Sequence, residues 1–275
     1  MKDDSRNAEA FQKQYGPWAV IGGASDGTGE EFARQLAAKG LNCVLVSRRR
    51  PMLEKLAGEL RDESGIETRI LAMDLSLAAA GRQLCTAVAD LEVGLFVANA
   101  GAGIGGLSFV DGSLEQWQTA VNMNIHTPME ACHGLAEAML ERGRGGLLLM
   151  GSGVALGGQP GVAVYAASKA FSLTLAESMW AEFKPRGVDV LNVVAPLINT
   201  PKLRQGFGED MDVSRLPAMV EPDELVRIAL EQLPEGPCYI FPAGPEEGIA
   251  GEVTERRRAR VEAATEIARA MFEKS

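Results

Sequence analysis

Tyr165 and Lys169 stand four residues apart in the run Tyr165-Ala166-Ala167-Ser168-Lys169, and Ser152 lies thirteen residues upstream of the tyrosine. Positions i and i+4 of a helix share one face, so a phenol and an ammonium at this spacing point into the same space. A free tyrosine has a pKa of about 10 and exchanges protons poorly near neutrality, but a lysine cation close by favours the phenolate. The pair reads as a general acid/base. A hydroxyl such as Ser152 in the same pocket supplies a hydrogen bond to a substrate oxygen as charge develops on it. A Tyr-x-x-x-Lys pair also describes a half-buried tyrosine with a solvated lysine one turn on, so the assignment depends on what the rest of the chain positions around it.

Composition limits the partners such a pair could serve. The chain has 275 residues, 46% hydrophobic and 23% charged, enough for one large globular domain. A formal net charge of −10, from 27 Lys+Arg against 37 Asp+Glu, disfavours a nucleic-acid backbone or an anionic membrane as main partner. A small neutral ligand fits better. Cys43, Cys85, Cys132 and Cys238 show no C-x-x-C spacing and the only histidines are His126 and His133, so no metal site is expected. The cysteines read as reduced core residues of a cytoplasmic protein. Residues 1–14 are charged and carry no apolar h-region, so no secretory signal is expected. The uncharged run 93–110 contains glycines and an asparagine and reads as a buried strand entering a Gly-rich loop, not as a membrane span.

The elements that must position the chemistry follow from periodicity. Residues 18–21 read as a buried parallel strand that runs into Gly22-Gly23-Ala24-Ser25-Asp26-Gly27-Thr28-Gly29 and then a helix over 30–39. Strand, glycine loop and helix make a phosphate-binding arrangement: glycines let the backbone approach the ligand, and the helix N-terminus presents N–H groups and a positive dipole end. The alternative is a tight turn that binds nothing. A second strand, 42–46, ends in Ser47-Arg48-Arg49-Arg50, where an acidic residue would bind an adenosine ribose and an arginine would pair with a 2′-phosphate. Arg49 and Arg50 equally fit a solvated charge run opening the helix 51–63. Further strands at 68–72, 94–98, 146–150, 188–194 and 238–241 place Asp74, Asn99-Ala100-Gly101, Ser152 and Ala195-Pro196 at carboxyl ends of strands, where ligands bind in open α/β sheets. Ser113-Leu114-Glu115-Gln116 reads as a capping box for a long helix carrying Asn122, Asn124 and His126. Asparagines are poor helix formers, so one of the two is expected to be functional and the other on the surface. A helix over 165–183 carries the Tyr–Lys pair. Periodicity fades over 199–220, a candidate substrate lid with Leu203, Phe207, Met211, Leu216 and Met219. A helix starts at Glu221-Pro222-Asp223-Glu224, and a charged helix spans 254–272, its Arg256-Arg257-Arg258 cluster read as solvated surface.

Strands alternating with helices give an α/β, doubly wound, mostly parallel seven-stranded sheet flanked by helices. With its motifs in this order, the sequence resembles the short-chain dehydrogenase/reductase family from about Pro17 to about Pro242. The motifs are Gly23-x-x-x-Gly27-x-Gly29, Asp74, Asn99-Ala100-Gly101, Asn124, Ser152, Tyr165-x-x-x-Lys169 and the segment from Asn192 to Thr200. The resemblance implies a single Rossmann-type catalytic domain over 17–252 with the lid at about 199–220, preceded by an extension (1–16) and followed by a C-terminal helix (253–275). It implies Tyr165 as proton donor or acceptor to the substrate oxygen and Ser152 as the hydroxyl that orients that oxygen. Lys169 would hold the nicotinamide ribose and lower the tyrosine pKa, and Asn124 would anchor a water linking the lysine to solvent. The cofactor site would comprise Gly23, Ser25, Gly27, Thr28 and Gly29 of the loop, Ser47, Arg48 and Arg49 after the second strand, and Asp74 and Leu75 at the adenine. Asn99, Ala100 and Gly101 would complete it with Tyr165, Lys169, Pro196, Ile198 and Thr200.

The chain departs from the family pattern at Gly22 (usually threonine, whose hydroxyl braces the Asn-Ala-Gly turn), Thr28 (commonly isoleucine) and Gly151 (frequently serine). It departs also at Thr127-Pro128, which replaces a usual glycine, and at Leu197, which follows Pro196 where glycine is typical and is expected to narrow the substrate pocket. The expected activity is NADP(H)-dependent interconversion of a carbonyl and a secondary alcohol on a small lipophilic or aromatic substrate, with NADP(H) favoured over NAD(H) through Arg48. Asp26 is expected to turn to solvent, where its repulsion of a phosphate is weak. The alternative from another class is a non-catalytic nucleotide-binding regulatory protein on the same fold. A methyltransferase would share the first glycine loop but has no need of the Ser-Tyr-Lys set, and epimerase or dehydratase relatives use a different glycine spacing. Apolar positions Met129, Leu135, Phe171, Leu175 and Met179 on two helices point to a homodimer or homotetramer, as is common in the family.

Overall fold

The computed structural model describes residues 2–101, 107–201, 203, 204, 219–243 and 247–272. Seven parallel strands form one sheet in the order β3-β2-β1-β4-β5-β6-β7: β1 Trp18–Gly22, β2 Asn42–Ser47, β3 Thr68–Ala72, β4 Val93–Ala98, β5 Gly145–Met150, β6 Val188–Val194 and β7 Cys238–Ile240. The alternation along each strand divides the core. Ile21, Leu45, Val97, Leu148 and Val193 face helices α2 (Gly27–Ala38), α3 (Arg50–Ser64) and α8 (Pro222–Gln232), while Val20, Val44, Phe96, Leu147 and Val190 face α4 (Ala80–Ala87), α6 (Thr127–Arg142) and α7 (Ala163–Phe183). Helices on both faces leave the central strands predominantly apolar, the pattern of a parallel sheet, with Asp189 and Asn192 of β6 as buried polar exceptions. Strand order reverses between β1 and β4, so their carboxyl ends open a crevice, and the glycine loop and Asn99 flank it.

Most element boundaries agree with the periodicity to within a few residues. Two helices carry no signal strong enough to read from it. The first is α4, eight residues long and opened by Ala79 in the left-handed region at φ 61°. The second is α1, Lys2–Tyr15, whose charged composition hides an i, i+4 aromatic pair, Phe11 and Tyr15, with ring centroids 4.6 Å apart. Tyr15 is 2% exposed, and its hydroxyl donates to Oδ2 of Asp189 at 2.7 Å while Lys184 Nζ donates to Oδ1 at 3.0 Å. Burial, reinforced by the Asp189 charge, pushes the Tyr15 phenol far above its ordinary range, so it is a permanent donor. Tyr15→Phe is expected to destabilise the chain by about 1–2 kcal/mol, because Asp189 keeps Lys184 and loses only one of its donors. Urea denaturation checks this; an unchanged midpoint would mean that the Tyr15–Asp189 bond adds nothing to the other contacts that hold α1.

The C-terminal helix corrects an expectation. Helix α9, Ala250–Phe272, begins earlier than its charge pattern indicated, and its arginines are not all solvated surface. Arg257 Nε donates to Glu177 Oε1 of α7 at 2.6 Å, and Arg258 donates to the Gly236 carbonyl at 2.6 and 3.0 Å; only Arg256 keeps to the surface, with an i, i+4 partner in Glu252. Thr254 accepts a hydrogen bond from the amide of Ile240 at 3.3 Å, so α9 covers the exposed edge of β7. A second correction concerns the apolar helix faces: Leu135 and Met179 are buried in the chain's own core, Phe171 and Leu175 are half-buried, and only Met129 is exposed.

Helix α5, Leu114–Val121, opens with the expected capping box between Ser113 and Gln116. It does not continue straight into α6. A π-helical turn, Asn122–His126, joins them, closed by the amide of Thr127 donating to the Asn122 carbonyl. Pro128 gives the reason: it has no N–H to offer the carbonyl of Asn124 four residues back, so the ladder widens by one residue there. Asn124 is buried and Asn122 only partly so, which separates the two asparagines.

Candidate active site

At the carboxyl end of β1 the glycines are required by space. Gly23 has φ +75°, and a Cβ on it would stand 3.0 Å from Ala100 Cα; a Cβ on Gly29 would stand 2.0 Å from the Gly23 carbonyl oxygen. Gly27 has φ +58° and lies under Thr200, whose Cγ2 would meet a Cβ there at 3.1 Å. Asp26 is the N-cap of α2 but makes no side-chain cap, so the first turn of the helix presents its amides and dipole end without a carboxylate bound across them. This cradle, too tight for side chains and built on a helix N-terminus, fits the phosphates of a dinucleotide.

The arginines differ from expectation. Asp26 does not turn to solvent: it is ion-paired with Arg49, whose Nη2 and Nε also donate to Ser25 Oγ at 2.8 and 3.2 Å. Arg49 is thus fastened to the glycine loop and is not part of a solvated run, and its backbone amide donates to Ser47 Oγ at 3.2 Å. Arg48, with its side chain 69% exposed, reaches toward Asp74 at 3.7 Å. Partial burial works to raise the Asp74 carboxyl, but hydrogen bonds from the Ser76 hydroxyl and amide, with the Arg48 charge, outweigh it and hold it below the usual carboxylate range. Leu75 is buried, and its carbonyl accepts from Thr127 Oγ1 at 2.8 Å. Sequence reasoning missed that tie and the Arg49–Asp26 pair, because each joins residues far apart in the chain.

Asn99, just past β4, staples the loop: its Nδ2 donates to the carbonyls of Gly22 (3.2 Å) and Gly23 (3.4 Å), and its Oδ1 accepts from Thr28 Oγ1 at 2.7 Å. A Cβ on Gly101 would stand 3.5 Å from both Asn124 Oδ1 and Lys169 Nζ, so these two groups border one spot.

Ser152 lies just beyond β5 and Tyr165 on the first turn of α7, with the serine hydroxyl near enough to the phenol to favour its ionised form. Lys169 is 7% exposed; its Nζ donates to the Met150 carbonyl at 2.6 Å and lies 5.6 Å from the centroid of the Tyr165 ring. Burial pushes the lysine down to about 8. Burial also pushes the Tyr165 phenol above its ordinary value, opposed by the nearby Ser152 hydroxyl. The expected net lowering of the phenol by Lys169 is therefore not what this geometry produces. The ammonium stands over the ring face and spends a hydrogen bond on Met150, so desolvation dominates. At neutral pH Tyr165 is a protonated donor, suited to hand a proton to an oxygen that gains negative charge.

Gly151 is also dictated by space, since a Cβ there would stand 2.2 Å from Oδ1 of the buried Asn192. Beyond β6, Ile198 bridges Val220 and the Val220 amide donates to the Leu197 carbonyl at 3.0 Å, so the ends of the candidate lid are pinned together. Pro196 and Leu197 lead into this bridge, and Thr200 reaches the glycine loop. Residues 202 and 205–218, with Phe207, Met211 and Leu216, lie outside the described residues.

Known proteins resemble this chain in sequence and in fold. The family model described as short chain dehydrogenase matches residues 17–210. The very-long-chain 3-oxoacyl-CoA reductase of Podospora anserina is 40% identical over 189 residues, 67% of this chain and 56% of the reductase, so the chain spans little more than half the length of that relative. The 7beta-hydroxysteroid dehydrogenase of Clostridium sardiniense is 32% identical over 236 residues, 85% of this chain and 88% of that enzyme. Among solved structures, a short-chain dehydrogenase from Sphingobium yanoikuyae in complex with NADPH superposes with a TM-score of 0.78 at 29% identity, covering 90% of this chain and 95% of the other. With the glycine cradle, the Asn99 staple and the Ser152–Tyr165–Lys169 cluster on one scaffold, the chain belongs to the short-chain dehydrogenase/reductase family.

Proposed function

We propose that the chain is an NADP(H)-dependent oxidoreductase that interconverts a carbonyl and a secondary alcohol on a lipophilic substrate. The observation that carries the reading is the convergence of Ser152, Tyr165 and Lys169 at the carboxyl end of the sheet, next to a cradle that fits a dinucleotide. A nicotinamide cofactor supplies the hydride. Gly23, Gly27 and Gly29 with the α2 N-terminus would hold its phosphates, Asp74 and Leu75 its adenine side, and Lys169 its nicotinamide ribose. Ser152 orients the substrate oxygen and Tyr165 delivers or removes the proton on it, with Asn124 and Lys169 at the inner end of the site. A hydroxysteroid dehydrogenase and a very-long-chain 3-oxoacyl-CoA reductase among the relatives, together with the apolar Leu197 directly after Pro196, support a lipophilic substrate. A panel of ketones and alcohols, followed at the nicotinamide absorbance with NADPH and NADH, tests the reading. Cofactor binding without turnover across the panel would instead favour a non-catalytic nucleotide-binding protein, a reading that leaves the assembled cluster without a use.

NADP(H) preference rests on Arg48 and Arg49 together. With Asp26 neutralised by Arg49, its repulsion of a 2′-phosphate is removed, and Arg48 retains a free guanidinium face for charge-assisted contact and adenine stacking. Arg48→Ala is expected to lower the NADPH/NADH ratio of kcat/KM by about 10–100-fold, the equivalent of roughly 1.5–3 kcal/mol. An unchanged ratio, or a wild type that prefers NADH, would refute the preference. We read Phe171, Leu175 and Met129 as the remaining apolar positions of a self-association face on α6 and α7, giving a dimer or tetramer. Light scattering showing a strict monomer at micromolar concentration would contradict it. No helix among the described residues is long and apolar enough to cross a membrane, and the four cysteines are free thiols, which supports a reducing, cytoplasmic setting.

A further inference from the structure

We propose that Thr28 is a positioning residue whose hydroxyl holds the oxygen end of the Asn99 amide in place and, through it, the shape of the phosphate cradle. The inference rests on three joined contacts. Thr28 Oγ1 stands 2.7 Å from Asn99 Oδ1, so the hydroxyl donates and the amide oxygen accepts. The amide NH2 faces β1 and donates to the Gly22 and Gly23 carbonyls at 3.2 and 3.4 Å; those carbonyls only accept and so fix which end of the amide faces them, while the Thr28 hydroxyl fastens the oxygen end. Reversal of the amide would set its oxygen against two carbonyl oxygens, with no donor to receive them. Thr28 therefore ties the first turn of α2 to the ends of β1 and β4 at once.

Among the described residues, no side chain of β1 duplicates this tie. Position 22 has no side chain, although a Cβ there would meet only ordinary contacts, 3.5 Å to Leu75 Cδ1 and 3.5 Å to the Val97 carbonyl oxygen. The adjoining cavity, about 10 Å³, is lined mainly by apolar groups, among them Leu75, Phe96, Ala98 and Met123, and is at the lower limit for a single water. The space around Asn99 is equally restrictive: a Cβ on Gly23 or Gly29 would stand 3.1 or 2.7 Å from its Nδ2. A swing of this amide would press on the two glycines that form the cradle. A hydroxyl on α2 thus controls the backbone that a dinucleotide's phosphates would meet, without itself needing to touch them.

Calorimetric titration of the full chain with 5′-ADP and with NADPH tests the proposal in four variants. Thr28→Val keeps the shape and removes the hydroxyl; it is expected to weaken both ligands about tenfold (~1.4 kcal/mol), the worth of one good hydrogen bond to a part-buried acceptor. Thr28→Ser restores the hydroxyl and is expected to bind within about twofold of wild type. Asn99→Ala should weaken both ligands at least as much as Thr28→Val, and Thr28→Val added to Asn99→Ala should cost nothing more, since the effect passes through Asn99. Titrations run well below each variant's thermal midpoint keep a stability loss separate from a binding loss. Wild-type affinity in Thr28→Val, an equal loss in Thr28→Ser, or additive losses in the double variant would each overturn the proposal. Failure of wild type itself to bind 5′-ADP or NADPH would instead refute the dinucleotide reading on which it rests.

Discussion

Tyr165→Phe is expected to lower kcat by about 10²–10⁴-fold, the usual contribution of a positioned general acid or base, while leaving NADPH affinity within a few-fold. The substitution removes one oxygen and keeps the ring that packs under Lys169, so it isolates proton transfer from binding. The phenol is raised by burial and only partly restored by Ser152, so it holds its proton throughout the neutral range. Carbonyl reduction, which consumes that proton, is expected to be flat in this step from about pH 6 to 8. Alcohol oxidation, which needs the phenolate, is expected to climb with pH beyond that range. Near-normal kcat in Tyr165→Phe would remove Tyr165 from the mechanism.

Lys169→Met should produce the opposite signs in stability and function. The lysine is almost fully buried, and its folded pKa of about 8 lies below its unfolded value near 10.5. Below pH 8 it is charged in both states and bears the whole desolvation cost, on the order of 3 kcal/mol, of which the hydrogen bond to Met150 recovers about 1. Methionine fills similar volume without that cost, so the variant is expected to be more stable than wild type by roughly 1–3 kcal/mol at neutral pH. Between about pH 8 and 10.5 the unfolded chain binds more protons at this site than the folded one, so wild-type stability rises with pH and the gap narrows. Denaturation midpoints at pH 7 and pH 10 check both the sign and the trend. Activity and NADPH affinity should both fall sharply, because the same ammonium would hold the nicotinamide ribose. A variant less stable than wild type at pH 7 would show that Lys169 is structural support, not a strained functional group.

What could be read from the sequence follows from how local each signal is. The strands were legible because a sheet covered on both faces makes its strands predominantly apolar runs, as in residues 95–98 and 147–150, and the glycine loop because positive φ and close backbone approach admit no other residue. The spacing of Tyr165 and Lys169 alone equally described a half-buried tyrosine with a solvated lysine; it was the ordered motifs around the pair that made it, with Ser152, a candidate site. The Arg49–Asp26 pair, the Thr127 tie to Leu75 and the Thr28–Asn99 bond were not, since each joins segments tens of residues apart and leaves no periodic mark. Helix α1 was hidden because its apolar face is two aromatic residues in a charged segment. The net direction of the Tyr165 shift was missed for a similar reason: proximity to a lysine is visible in spacing, but the burial that outweighs it is a property of the packed sheet and α7.

The most direct measurement follows NADPH consumption by the purified chain against a panel of lipophilic ketones, with the alcohol product quantified and Tyr165→Phe run in parallel. The expected result is ketone-dependent oxidation of NADPH, one alcohol formed per NADPH consumed, and loss of that turnover in Tyr165→Phe with NADPH binding kept. NADPH binding with no ketone-dependent consumption in wild type, or equal consumption in the two proteins, would contradict a reductase built on Tyr165.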